Sequence, residues 1–336
     1  MVNRDGLPGY CVASLKRGAD LSALNIAPFI GLILLAQPAL AGLTIVPIFD
    51  STITSDVNAA TIKATINTAI AHYATLFSDN LTVNIVFQET ATGLATASSA
   101  LTQVSYANYR AALVSDSTTS NDQLALAHLP VQATSPADGD SRMWLTTANA
   151  RAVGLSASVV SDGHIKLNTS IMNLDRNSID AAKYDLESAA EHEINEILGL
   201  GSGLNLAVGF PRLSRPEDLF RFSGAGVRSF STSAGSTYFS LDGGTTLIAG
   251  FGDGSSSSDY GDWDATSIRV QNAFATPGTI PNLGTAEQQA LDVIGYNLVS
   301  AQVPEADPLT VLGGCAAMGA GYTLIRRKCR KQATAA

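Results

Sequence analysis

One short window of this chain combines the residue types and the spacing of a metal site. Residues 190–199 read AEHEINEILG. His192 and Glu196 are four residues apart, so on a helix they lie on one face and can bind the same ion. Glu193 lies one step round that helix, where its carboxylate can take a proton from a water bound to the ion. The window therefore predicts a metallohydrolase with His192 and Glu196 as metal ligands and Glu193 as general base.

The window differs from the common zinc pattern H-E-x-x-H at its second histidine, which is replaced by Glu196. A glutamate places a negative charge on the metal, lowers its Lewis acidity and shifts its preference toward harder cations. Zinc is the expected metal, with another divalent cation as the alternative. Short motifs also recur by chance, so Glu196 as a solvated carboxylate and His192 as a structural histidine stay open at this point.

The first 41 residues have the pattern of an export signal. Lys16 and Arg17 precede an apolar run over 26–36, and Ala39-Leu40-Ala41 is a small-x-small cleavage triplet. We predict a signal peptide over 1–41 and a mature chain that begins at Gly42.

The C-terminal segment, 303–336, has the pattern of a sorting signal with a transmembrane helix. It begins Val-Pro-Glu, continues with an apolar stretch over 309–325, and ends in a cationic cluster over 326–331. It resembles the PEP-CTERM signal of Gram-negative bacteria, although Ala306 stands where that signal has a second proline. The resemblance implies a transient inner-membrane anchor, removal by an exosortase-type enzyme, and a secreted or cell-surface product. A permanent single-span anchor is the alternative.

Composition restricts the partners of the segment between these ends. All three cysteines lie in the end segments, at Cys11, Cys315 and Cys329. The whole chain has a net charge of −9 although both ends are net positive, so the segment 42–302 is strongly acidic. This charge argues against nucleic acid and against membrane contact other than through the C-terminal helix. We expect a monomer that acts on a peptide or protein substrate.

The hydrophobic patterns of 42–302 predict one α+β domain. They indicate strands over 43–49 and 81–87, a helix over 56–77, and an edge strand over 163–168 that contains His164. The motif helix is expected over 182–198, followed by β-rich chain. This order is similar to a zincin: a mixed twisted sheet with an active-site helix and a β-rich lower lobe. His164 either aligns a peptide on its edge strand or is an ordinary surface histidine.

The motif also resembles the longer metzincin pattern H-E-x-x-H-x-x-G-x-x-H. His192, Glu193 and Gly199 match it, while Glu196 and Ser202 occupy the other two ligand positions. With the segments 215–222, 238–244, 259–263 and 290–296, the chain resembles a bacterial family of PEP-CTERM-sorted, metzincin-like metalloproteases. The resemblance implies a secreted metal-dependent peptidase with Glu193 catalytic and His192 as the first ligand.

The third ligand is left open by the sequence, because a serine at position 202 binds metals poorly. Asp218, Asp259 and Asp262 are the candidates, and by analogy residues 219–223 are expected to form the floor of the site. The predicted function is a secreted metalloendopeptidase. The alternative is a catalytically weak or inactive surface protein with the same fold that binds matrix polymer or peptide.

Overall fold

The computed structural model describes residues 42–205, 211–233 and 235–299. The predicted signal peptide and the predicted sorting segment with its membrane helix lie outside these ranges. Among the described residues, no helix is long and apolar enough to cross a membrane. These residues form an α+β structure, as the sequence predicts, with several separate sheets.

The described residues contain twelve strands and seven α-helices. The strands are β1 Thr44–Phe49, β2 Thr82–Glu89, β3 Ala95–Ser99, β4 Leu101–Ser105, β5 Arg142–Thr146, β6 Gly163–Leu167, β7 Met172–Asn173, β8 Tyr184–Asp185, β9 Arg221–Gly224, β10 Val227–Arg228, β11 Tyr238–Phe239 and β12 Ala249–Gly250. The α-helices are α1 Ser51–Thr54, α2 Ala59–Leu76, α3 Tyr106–Asp116, α4 Ser120–Ala127, α5 Thr147–Ala152, α6 Leu186–Leu198 and α7 Thr285–Val293. Short 3-10 helices cover Thr169–Ile171, Gly203–Asn205, Pro216–Phe220 and Ser255–Ser257.

The main sheet is mixed and has the strand order β1-β2-β6-β3. β1, β2 and β6 run parallel, and β3 pairs antiparallel with β6 at the sheet edge. Helices α2 and α6 pack on this sheet and on each other. Tyr73 on α2 is fully buried, and its hydroxyl donates to the Glu191 carbonyl of α6 at 2.8 Å. The motif helix is thereby fixed between the sheet and α2.

Helix α6 has clear start and stop signals. The side chain of Asp185 caps its N-terminus by accepting from the Ser188 backbone amide at 3.0 Å. Gly199 ends it with φ 131°, a conformation that is costly for residues with a Cβ atom. The helix is buried along most of its length, including Ile194, Ile197 and Leu198. The side chains of the motif are therefore held on a rigid, packed element.

A second, antiparallel sheet of order β10-β9-β11-β12 follows the motif helix. Its core is aromatic: Phe239 lies 6.2 Å from Phe220 and 5.6 Å from Trp263, measured between ring centroids. The Phe251 ring also contacts Trp263, with the ring centroids 5.1 Å apart and the rings tilted by 48°. This aromatic cluster supports the start and end of the loop that runs from 252 to 262.

The prediction that residues 163–168 form an edge strand is wrong. β6, which contains His164, pairs with β2 on one side and with β3 on the other, so it is an inner strand. His164 is exposed because it alternates with the buried Ile165 and Leu167 on one face of the sheet. The true edge, β3, consists of small and polar residues that do not have a clear strand pattern.

Candidate metal centre

Three side chains from two distant parts of the chain meet beside helix α6. The His192 Nε2 atom lies 3.7 Å from Glu196 Oε1 and 3.6 Å from Asp262 Oδ1. One nitrogen and two carboxylate oxygens are therefore within reach of a single ion. Two ligands of one tetrahedral zinc ion are about 3.4 Å apart, given bonds of about 2.0–2.2 Å. The donor types and spacings fit a divalent cation.

His192 is oriented by a hydrogen bond from its other ring nitrogen. The Nδ1 atom lies 3.0 Å from the Val270 carbonyl oxygen, which can only accept, so Nδ1 carries a proton. Nε2 therefore faces Glu196 and Asp262. Burial lowers the pKa of His192, but the negative charges of Asp262, Glu196 and Glu193 outweigh it and raise the pKa well above its usual value. This environment strongly favours positive charge at Nε2.

Glu193 lies next to the three candidate ligands and is only 5% exposed. Burial and repulsion from Glu196 raise the pKa of its carboxyl well above the usual value, with attraction from His192 in opposition. Its Oε2 atom is buried and has no hydrogen-bond partner among the described residues. A buried carboxylate with a free oxygen and a raised proton affinity suits a general base near neutral pH.

The loop after β12 adds two carboxylates to this cluster. Burial raises the pKa of Asp262 to about 7, with Asp259 and Glu196 adding to the rise and His192 opposing it. Burial and the charge of Glu196 raise the pKa of Asp259 to about 6, against a hydrogen bond from the Gly261 amide at 2.7 Å. Concentrated negative charge of this kind is stabilised by a bound cation.

Arg221 fixes the loop that carries these two aspartates. Its guanidinium is buried and donates to the Gly252 carbonyl at 3.1 Å and to the Tyr260 carbonyl. It also lies over the Phe251 ring, 4.4 Å from the centroid. Because Gly252 and Tyr260 are near the two ends of the loop, one side chain closes it.

The same loop approaches the end of α6 through backbone contact. A Cβ atom built on Gly261 would lie 2.3 Å from the Gly201 Cα atom, so only glycine permits this approach. Gly201 follows the helix end at Gly199. The close packing of these two segments places Asp262 beside His192, although the residues are 70 positions apart in the sequence.

A buried chain of hydrogen bonds supports Asp262 from behind. The Tyr73 hydroxyl shares its one proton between the Glu191 carbonyl and Asn195 Oδ1, which lies 2.7 Å away, and Asn195 Nδ2 donates to Gln271 Oε1 at 2.9 Å. Gln271 Nε2 then donates to Asp262 Oδ1 at 3.0 Å. Tyr73, Asn195 and Gln271 are fully buried. Supporting contacts of this type orient metal ligands and tune their affinity.

The three candidate ligands and Glu193 face a cleft of about 410 Å³. The cleft is also lined by residues 94–97, which lie in and just before the edge strand β3, and by residues 268–270 and 272–276. β3 also contacts the motif helix directly, since Ser99 Oγ donates to the Glu196 carbonyl at 3.2 Å. Residues in and beside the edge strand β3 therefore line the same cleft as the candidate ligands.

Comparison with protein-family models, with curated proteins and with solved structures finds no match to this chain.

The structure brings together all three site residues that were predicted from the sequence. His192, Glu193 and Glu196 lie on one helix and line one cleft, and of the three aspartates left open only Asp262 has an oxygen within the candidate ligand cluster. Asp259 lines the cleft without belonging to that cluster.

Asp218 and Ser202 have a structural role instead. Asp218 is buried and accepts from the Ser202 hydroxyl at 2.6 Å and from the Gly203 and Arg215 amides at 2.8 Å each. Ser202 therefore holds the turn after α6. The expectation that residues 219–223 form the floor of the site is wrong, because none of them is among the described residues that line the cleft.

Proposed function

We propose that this chain is a secreted, metal-dependent endopeptidase of the metzincin-like type, with zinc as its metal. The observation that carries the proposal is the convergence of His192 Nε2, Glu196 Oε1 and Asp262 Oδ1, with Glu193 beside them in an open cleft. The residues at the two chain ends, which lie outside the described ranges, support export and sorting by an exosortase-type enzyme.

His192, Glu196 and Asp262 would hold the cation. When bound, such an ion supplies Lewis acidity, which polarises a carbonyl group and lowers the pKa of water. The hydrogen bond from His192 Nδ1 to the Val270 carbonyl and the bond from Gln271 to Asp262 keep these two side chains in place. The ligand set is therefore largely preorganised.

Glu193 carries the proton transfers. Its unpartnered Oε2 accepts a proton from the attacking water and then returns it to the leaving amine nitrogen. Because burial and Glu196 raise its pKa, Glu193 is a stronger base than an exposed glutamate. The carboxylate thus acts twice in one cycle and returns to its starting state.

The free edge of β3 is the proposed binding track for the substrate. Among the described residues, β3 pairs with β6 alone, so backbone donors and acceptors on its other side would be available to an extended peptide. Ala95, Thr96 and Ala97 line the cleft near the candidate ligands. An extended peptide on this edge would pass beside Glu193.

A second candidate function is binding without catalysis. Two of the three candidate ligands are carboxylates, so a bound cation would keep less positive charge than with two histidines and would polarise a carbonyl group less. This property favours a weakly active or inactive surface protein that binds peptide or matrix polymer.

Hydrolysis of denatured casein separates the two candidates. The purified protein should degrade casein, a metal chelator should stop the reaction, and added zinc should restore it. The variant His192→Ala should have no activity, while His164→Ala, which removes an exposed histidine, should keep it. If the wild type is inactive in zinc but Glu196→His hydrolyses casein, the binding role is correct and the peptidase proposal fails.

A further inference from the structure

A second group of potential ligands lies between helices α2 and α6, outside the cleft. We propose that His72, Glu187 and Glu191 form a separate site for a divalent transition-metal cation. Their candidate ligand atoms all lie within 4.8 Å of one another. His72 Nδ1 and Glu191 Oε1 are hydrogen-bonded at 2.5 Å, closer than two ligands of one ion, so a cation would replace the shared proton and separate these two atoms. Glu187 is one helical turn before Glu191. This site does not depend on the proposed peptidase function.

Glu191 has one oxygen that the protein does not satisfy. The residue is fully buried, and its Oε2 atom has no hydrogen-bond partner among the described residues. A simple ion pair with His72 uses only Oε1. A buried carboxylate oxygen without a partner is costly, and a cation bound by this carboxylate removes that cost.

The positive charge already present is fully used by other contacts. Arg176 binds Glu187 Oε1 at 2.9 Å and Asp185 Oδ2 at 2.6 Å, and it also donates to the Pro281 carbonyl at 2.9 Å. The Arg176 guanidinium therefore pairs with Asp185 and Glu187, while Glu191 is paired with His72. The group retains an excess of negative charge that a divalent cation would neutralise.

The donor set and its accessibility indicate the class of cation. One imidazole nitrogen with two carboxylates suits zinc or a similar transition metal, whereas calcium prefers oxygen ligands alone. The side chain of His72 is 38% exposed, which gives the ion a route from solvent. A bound cation would join α2 to α6 at Glu191, the residue that precedes His192. It would thereby stabilise the helix that carries the cleft ligands.

Zinc stoichiometry in a His192→Ala background tests this site without interference from the cleft. The full protein is saturated with zinc, passed through a desalting column and analysed for metal. We expect two equivalents in the wild type, one in His192→Ala, and none when His72→Ala or Glu191→Gln is added. The matched control, His164→Ala in the same background, removes an exposed histidine and should keep one equivalent.

The proposal is overturned if His192→Ala retains no zinc, or if adding His72→Ala and Glu191→Gln leaves its zinc content unchanged. X-ray absorption of the zinc-loaded His192→Ala protein provides a measurement that needs no further variant. It should report one imidazole nitrogen and carboxylate oxygens around the metal. A zinc environment without imidazole would reject His72 as a ligand.

Discussion

Replacing Asp262 with asparagine should weaken metal binding while leaving the fold intact. The asparagine side-chain oxygen can still accept from Gln271, which lies 3.0 Å from Asp262 Oδ1. The substitution removes the negative charge of a candidate ligand whose Oδ1 atom lies 3.6 Å from His192 Nε2. Residues that only support metal ligands contribute about 10–100-fold to affinity, so loss of a ligand charge should cost at least about 100-fold. This factor corresponds to about 2.7 kcal/mol of binding free energy.

The same substitution should raise the stability of the metal-free protein. Burial raises the pKa of Asp262 from 3.8 to about 7, with further contributions from Asp259 and Glu196, so the ionised side chain destabilises the fold above that pH. Asp262→Asn should therefore raise the free energy of unfolding at pH 8 by at most on the order of 4 kcal/mol. The gain should shrink as the pH falls through 7 and vanish below about 4.

Asp259→Asn is the matched control for this experiment. It also removes one negative charge from the cleft, but Asp259 is outside the ligand cluster, so zinc affinity should fall by less than about tenfold. Zinc affinity is measured by competition with a chromophoric chelator at pH 7.5, and stability by urea unfolding in excess chelator. Equal losses of affinity in Asp259→Asn and Asp262→Asn would refute Asp262 as the third ligand.

Two further predictions concern Arg221, which closes the loop beside the candidate metal centre, and Asp292, a buried carboxylate outside that centre. Arg221→Leu removes the donors to the Gly252 and Tyr260 carbonyls that close the loop. Zinc affinity, measured by chelator competition, should therefore fall by about tenfold. Unchanged zinc affinity would contradict the loop-closing role of Arg221. Burial raises the pKa of Asp292, which is 1% exposed and has an unpartnered Oδ1, to about 6, so ionised Asp292 destabilises the fold above that pH. Asp292→Asn should therefore be more stable than the wild type at pH 7.5 by at most about 3 kcal/mol in urea unfolding, with the gain lost by pH 4. A stability difference between Asp292→Asn and the wild type that does not change with pH would refute the raised pKa of Asp292.

The local part of the centre could be predicted from the sequence because helix periodicity is local. His192, Glu193 and Glu196 lie within five residues, and their relative positions follow from 3.6 residues per turn. Asp262 could not be selected in this way. Its position depends on Arg221, which closes a loop, and on the contact between Gly261 and Gly201, which is specific to this fold. Three aspartates therefore remained equivalent at the level of sequence.

The sheet edge was misplaced for a different physical reason. Alternation of apolar and polar residues shows that β6 has one buried and one exposed face, but it carries no information on whether β6 has neighbours on both sides. β3 has the sequence ATASS, whose small and polar side chains leave no hydrophobic pattern. The contact between His72 and Glu191 could not be predicted either, because these two residues lie on different helices and are 119 positions apart in the sequence.

Peptide hydrolysis at matched metal content is the most direct test of Glu193 as the general base. Glu193→Gln preserves the shape of the side chain and removes the proton acceptor. Zinc content is measured on the same samples that are assayed with a quenched fluorescent peptide library. The proposed mechanism predicts wild-type zinc content with hydrolysis reduced by at least about 100-fold. Chelator-sensitive hydrolysis that is equally fast in the wild type and in Glu193→Gln would contradict it.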